Sequence, residues 1–158
     1  MFYAPNGLAE LVRRPGGKPR DTAIADAARN VEAKKDFLLE GIRDGVLSIE
    51  AVMLAVDAPA IPAIHSDMII ANCDRIIGLA GVLGFAALEA AAKSLCDLMA
   101  SLDRLGETEK APVLVHVQAI HRLTENLSEI RPEDDAVLLA QLARLVKHYE
   151  MRSRSVAR

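Results

Sequence analysis

The sequence has no tryptophan, and aromatic residues make up only 3% of its 158 residues. A core built from this chain must therefore be aliphatic. No run of 18 apolar residues is free of charge, and the N-terminus has no signal-peptide pattern. From these absences we expect a cytoplasmic protein that neither spans nor binds a membrane.

Cysteine and basic charge are also scarce. The two cysteines, Cys73 and Cys96, form no Cys-x-x-Cys motif, so zinc and dithiol chemistry lack support and both thiols are expected in the core of a reduced protein. The net charge is −3, with no basic excess to neutralise phosphates. We therefore expect no nucleic-acid partner, no metal and no cofactor.

The residues that are abundant favour an all-α fold. Hydrophobic residues make up 51% of the chain, which argues against disorder, and Ala and Leu are strong helix formers. Apolar residues recur with a period near 3.6, which predicts helices over 21–44, 49–56, 62–82, 85–104 and 107–128, and a last helix opened by "RPEDD" at 131–135. Gly45 is the predicted end of the first helix, and Gly84 of the third.

The last four predicted helices are each about 20 residues long and are joined by short turns. Such elements most readily form an antiparallel four-helix bundle, here predicted over residues 58–155. Residues 1–20 are then an N-terminal arm rich in Pro and Gly, and residues 21–57 an additional N-terminal helical segment. We expect these parts to form one compact domain.

One stretch carries a family resemblance. "DRIIGLAGVLGFAAL" (Asp74–Leu88) resembles the histidine-containing phosphotransfer domain family, whose signature reads roughly His-x-x-Lys-Gly-x-Ala-x-x-Leu-Gly. The residues that match are Gly78, Ala80, Leu83, Gly84 and Phe85. The resemblance implies a four-helix bundle and a place in two-component signalling.

Two departures from the signature concern its chemistry. Asp74 stands where the family has its phosphoacceptor histidine, and Ile77 where it has its lysine. Phosphorelay needs a nitrogen nucleophile, and receiver domains phosphorylate an aspartate inside a magnesium site with a nearby lysine. Nothing adjacent to Asp74 supplies such a site. The resemblance therefore implies a helix that keeps the docking shape without the transfer chemistry.

Helical spacing defines the predicted partner-binding face around Asp74. The residues at −4, +3, +4 and +7 share its side of the helix, and they are Ile70, Ile77, Gly78 and Gly81. An apolar patch rimmed by polar residues is a common docking surface. Alternatively, Gly78 and Gly81 let a neighbouring helix pack closely, with Asp74 tolerated at the edge of the bundle.

No other residue is predicted to be catalytic. His65, His116, His121 and His148 are expected to be ordinary surface or boundary histidines. There is no Glu-x-x-His pair, no glycine-rich phosphate loop and no Gly-x-Ser-x-Gly elbow. The acidic residues that could act as catalytic groups in an enzyme are expected at exposed helix positions; they are Glu89, Asp97, Asp103, Glu107 and Glu109.

The sequence thus predicts a non-catalytic pseudo-phosphotransfer protein that binds a response-regulator receiver or a histidine kinase. The alternative is a helical interaction or scaffold protein, unrelated to phosphorelay, that self-associates as a homodimer. In that case the amphipathic stretch "EAKKDFLLEGIRDG" (Glu32–Gly45) would pair with a partner helix.

Overall fold

The computed structural model describes residues 17–106, 108–127 and 132–156. These residues form six α-helices and no β-strand, so the all-α prediction is confirmed. The helices are α1 (Arg20–Ala33), α2 (Lys35–Ala55), α3 (Ala63–Leu83), α4 (Ala86–Asp103), α5 (Lys110–Glu125) and α6 (Pro132–Val156). Among them, none is both long and apolar enough to cross a membrane.

The chain divides into two compact units between Lys34 and Lys35. In the first unit, α1 has no buried residue, and Asp26 pairs with Lys18 and Arg29 on its surface. Most of the predicted N-terminal arm, residues 1–16, lies outside the described residues. The predicted domain boundaries at 20 and 57 stay a prediction.

The predicted helix over 21–44 is wrong, and so is the predicted end at Gly45. Helix α1 ends at Ala33, and α2 continues through Gly45 to Ala55, so the predicted short helix over 49–56 is the second half of α2. A glycine in a helix costs about 1 kcal/mol relative to alanine. Tertiary packing outweighs this local cost here, because α2 buries one face along its length.

Gly41 and Gly45 are two places where α2 approaches α3 closely. A Cβ on Gly45 would lie 3.0 Å from Cγ1 of Ile76, and one on Gly41 would lie 3.0 Å from Cδ1 of Leu79. Both glycines are buried and stand four residues apart, on the same side of α2. They therefore act as contact points between helices.

Helices α3 and α4 form a tight hairpin, and the predicted end of α3 at Gly84 is confirmed. Gly84 has φ 77° in the left-handed region, which favours glycine. The backbone N–H of Phe85 donates to the carbonyl of Ala80 at 2.9 Å, and that of Gly84 to the carbonyl of Gly81 at 3.3 Å. This Schellman arrangement reverses the chain within two residues.

The core of the second unit is aliphatic, as the scarcity of aromatic residues requires. Helix α2 contacts α3 and α5, while α4 contacts α3, α5 and α6, and α6 also contacts α5. The largest fully buried hydrophobic side chains are Ile42, Ile49, Ile69, Ile76, Leu88, Leu95, Leu98, Met99, Leu102, Ile120 and Leu142. Helix α2 therefore contributes to the same core as the later helices.

Two loops and the end of α6 are tied together at one end of this unit. The N–H of Ile61 donates to the carbonyl of Thr108 at 2.7 Å, and the N–H of Lys110 to the carbonyl of Pro59 at 2.8 Å. The Tyr149 hydroxyl donates to Glu109 Oε2 at 2.6 Å. These bonds fix the α2–α3 and α4–α5 connections to each other and to α6.

Candidate functional site

Helix α3 carries all five residues of the predicted partner-binding face, and three of them are exposed. Asp74 is exposed, and so is Gly78 one turn later. A Cβ on Gly78 would meet nothing within 4 Å. The alternative that Gly78 exists to admit a neighbouring helix therefore has no support within the described residues.

Gly81 is exposed as well, whereas the two isoleucines are partly covered. Ile70 and Ile77 are half-buried and pack against the core, so each presents only part of its side chain. A Cβ on Gly81 would lie 3.3 Å from the Glu89 carboxylate of α4. The structure thus offers an open centre at Asp74 and Gly78, bordered by two aliphatic side chains and one carboxylate.

Helix α4 adds further acidic groups to this side of the molecule. Asp74 of α3 and Asp97 of α4 both lie close enough to the Cys96 thiol for their negative charges to act on it. Asp67 and Asp103 line the same groove, of about 470 Å³, between α3 and α4. We call the exposed surface of the α3–α4 hairpin that includes Asp74, Gly78, Glu89 and Asp97 the hairpin face. It carries these three carboxylates and one cation, the exposed Lys93, which lies four positions from both Glu89 and Asp97.

The expectation that His116 is a surface or boundary residue is wrong. Its side chain is fully buried, at 0% exposure. Nδ1 lies 3.1 Å from the Pro112 carbonyl, which can only accept, so Nδ1 carries the proton and Nε2 accepts from the Ser94 hydroxyl at 3.1 Å. Burial lowers the pKa of His116, and the hydrogen bond to Pro112 offsets part of this effect. His116 is therefore a neutral core residue whose two nitrogens are satisfied.

The remaining histidines are His65, His121 and His148, and none is among the residues that define the hairpin face. His121 of α5 contacts Glu50 of α2 at 2.7 Å and Glu125 at 3.3 Å, so it joins two helices at the surface. The His148 ring meets the Tyr149 ring edge-on, with centroids 5.4 Å apart. The position of His65, half-buried on α3, agrees with a boundary residue.

Glu109 is not the freely exposed acid that the sequence suggests. It accepts hydrogen bonds from Tyr149 and, at 3.1 Å, from Arg152. The bond from Tyr149 is the main reason that the pKa of Glu109 is lowered, and the Arg152 guanidinium acts in the same direction. Glu109 thus has a structural role, and Glu107 lies outside the described residues.

Sequence reasoning missed two features of this region. The burial of His116 had a signal in the sequence, because Val113, Val117 and Ile120 form an apolar stripe at helical spacing. His116 lies three positions after the first of them and four before the last, on the same side of the helix. The acids of α4 that join Asp74 had no comparable signal, since the register between two helices is tertiary information. Within the described residues, no group of three or more His, Cys, Asp or Glu side chains is placed to hold a metal ion.

Comparison of the chain with protein-family models, curated proteins and solved structures finds no match.

Proposed function

We propose that this chain is a non-catalytic pseudo-phosphotransfer protein, which binds a response-regulator receiver domain or a histidine kinase through the hairpin face. The observation that carries the proposal is the exposure of Asp74 beside the open backbone of Gly78. In the family that the sequence resembles, this position holds the reactive histidine. A carboxylate there has no nitrogen nucleophile and presents a fixed negative charge instead.

The surroundings of Asp74 suit docking better than chemistry. Ile70 and Ile77 offer partly exposed aliphatic surface, and the exposed Asp74 lies one turn from each of them on the same side of α3. Apolar surface with a polar rim is typical of a protein–protein contact. The negative charge favours a partner surface that carries Lys or Arg, since complementary charge speeds association and disfavours wrong partners.

The antiparallel four-helix bundle belongs to the same proposal, with α2, α3, α4 and α5 as its members. Contacts between α2 and α3, α3 and α4, α4 and α5, and α5 and α2 form a closed cycle, which supports this arrangement. Helix α6 packs outside the cycle, against α4 and α5. The bundle predicted from the sequence used α3 to α6, so the proposal exchanges α6 for α2.

A binding titration tests the docking surface. Purified receiver and histidine-kinase domains from the organism that encodes the chain are titrated with it by calorimetry. Asp74→Arg and Gly78→Arg should each weaken binding at least about tenfold, because they reverse a charge or place a long side chain at the centre of the contact. Asp44→Arg is the matched control, since Asp44 is also an exposed mid-helix aspartate but lies on α2. Equal loss with Asp44→Arg, or no loss with either variant of the face, argues against this docking site.

The absence of transfer chemistry is tested separately. A receiver or kinase carrying radioactive phosphoryl label is mixed with the chain, and we expect no label on the chain. Label that appears on His65, His121 or any other histidine would contradict the proposal even if binding is observed.

Self-association through α2 is the second candidate function, and exposed apolar side chains favour it. Phe37, Leu47 and Leu54 are 73%, 59% and 85% exposed on this helix. Light scattering distinguishes the candidates: a monomer has a mass of 17.0 kDa, and a dimer about twice that. If a dimer forms, Leu54→Glu should dissociate it while Asp74→Arg should not.

A further inference from the structure

The structure brings together the two cysteines of the chain, which lie 23 positions apart in sequence. Cys73 is on α3 and Cys96 on α4, and the two thiols lie close enough for each to shift the pKa of the other. Cys73 is fully buried, whereas Cys96 is partly exposed. The two thiols are therefore close in space although the sequence has no Cys-x-x-Cys motif.

The geometry of the hairpin explains why they meet. Cys73 lies eleven residues before Gly84, and Cys96 twelve residues after it. At a rise of about 1.5 Å per residue, both lie about 17 Å from the turn, at the same level of two antiparallel helices. Cys73 belongs to the buried stripe of α3, and α4 is the helix that follows the turn and packs on α3. The pairing is thus set by the hairpin as a whole.

We propose that Cys73 and Cys96 are an oxidation site, at which a peroxide closes an intramolecular disulfide between α3 and α4. Both thiols are free in the reduced protein. The proposal does not depend on the docking function, because it uses the hairpin geometry and the two sulfurs alone.

The two thiols have distinct parts in this reaction. The interaction between the two thiols lowers the pKa of Cys96 and, together with burial, raises that of Cys73. The Cys96 thiolate, which solvent can reach, attacks one oxygen of hydrogen peroxide, and the O–O bond breaks to give a sulfenic acid and hydroxide. The hydroxide takes up the proton that the Cys96 thiol released, which forms water. Cys73 then loses its proton and attacks the Cys96 sulfur, and the S–O bond breaks to release a second water.

Nearby negative charges affect the rate at which Cys96 reacts with peroxide. Asp74 and Asp97 both oppose ionisation of Cys96. A thiol beside carboxylates is a slower nucleophile than one beside cationic groups. We therefore expect closure over minutes to hours at millimolar peroxide, and not the fast reaction of a dedicated peroxidase.

The full chain itself provides the test. The reduced protein is treated with hydrogen peroxide, quenched and digested without reductant. We expect a mass loss of about 2 Da, the disappearance of both free thiols, and a link between tryptic peptides 44–75 and 94–104. The melting temperature should rise by about 5–10 °C, since a bond across a loop of this length restricts the unfolded chain.

Single variants serve as matched controls. In Cys73→Ser, the remaining Cys96 should gain oxygen atoms or form an intermolecular dimer, and in Cys96→Ser the buried Cys73 should stay reduced much longer. The proposal is overturned if native wild-type protein gains oxygen on Cys96 while Cys73 remains free, if it forms cross-linked dimers in place of the internal bond, or if the link forms only in denaturant. The result for the wild-type protein tests the internal disulfide even if a variant fails to fold.

Discussion

The same substitution at two glycines, Gly45→Ala and Gly78→Ala, should change stability in opposite directions. Both glycines are inside helices, so an added methyl group removes the same backbone cost of about 1 kcal/mol in each case. Their surroundings differ. A Cβ on Gly78 meets open space, whereas one on Gly45 falls 3.0 Å from Cγ1 and 3.4 Å from Cδ1 of Ile76.

The change in the free energy of unfolding caused by Gly45→Ala depends on whether Ile76 can move. Ile76 is fully buried and β-branched, so its Cγ1 atom is held by one strongly preferred rotamer in α3. Overpacking of this kind costs about 1–3 kcal/mol. After the helix-propensity gain is subtracted, Gly45→Ala should destabilise the protein by about 1 kcal/mol. Gly78→Ala should stabilise it by about 0.5–1 kcal/mol.

Urea denaturation followed by circular dichroism measures the difference. The two variants should differ by about 2 kcal/mol in their free energy of unfolding, with unchanged slopes. In thermal melts, this corresponds to a separation of about 4–8 °C for a chain of this size. A Gly45→Ala protein as stable as Gly78→Ala would show that α2 and α3 do not approach as closely as described.

Three further predictions follow from single residues. Gly84→Ala should destabilise by about 1 kcal/mol, because φ 77° is strained for any residue with a Cβ; chemical denaturation measures it. Leu98→Ala should cost about 2–5 kcal/mol, because the fully buried side chain leaves a cavity. Stability should fall as the pH drops below about 6.5, where the unfolded chain protonates His116 but the folded chain, whose His116 pKa is lowered, does not.

Each of these three has its own control. Gly17→Ala is the control for Gly84→Ala, since Gly17 has open space around it and should tolerate the change. For Leu98→Ala, the exposed Leu54→Ala should cost much less than 1 kcal/mol. For the pH dependence, His116→Gln should remove this part of the slope, and a wild-type stability that is flat between pH 7 and 5 would contradict the buried, neutral His116.

The helices that the sequence predicts well are those whose ends carry local signals. Pro62 precedes α3 and Gly84 ends it, and both residues act through their own backbone conformations. The predicted α3 and α4 therefore agree with the observed bounds to within one residue. Fold class followed from the same kind of information, namely periodicity and composition.

The errors arise where contacts override local rules. A glycine such as Gly45 is typical of a helix end, but Gly45 lies inside α2, at a point where this helix packs closely against Ile76 of α3. The orientation of Asp74 could be predicted, because helical phase relates it to the buried Cys73 and Ile76. Which α4 residues lie beside it could not, since a shift of one helix along another leaves both periodic patterns unchanged.

The two-residue connection between α3 and α4 has a mechanical consequence. Because Gly84 and Phe85 alone separate the helices, neither helix can slide by a turn along the other without breaking the left-handed cap. Residues that the hairpin places side by side are thus held in position before another molecule binds. A molecule that binds this surface meets a rigid platform, and the association carries little of the ordering entropy that a flexible site would lose.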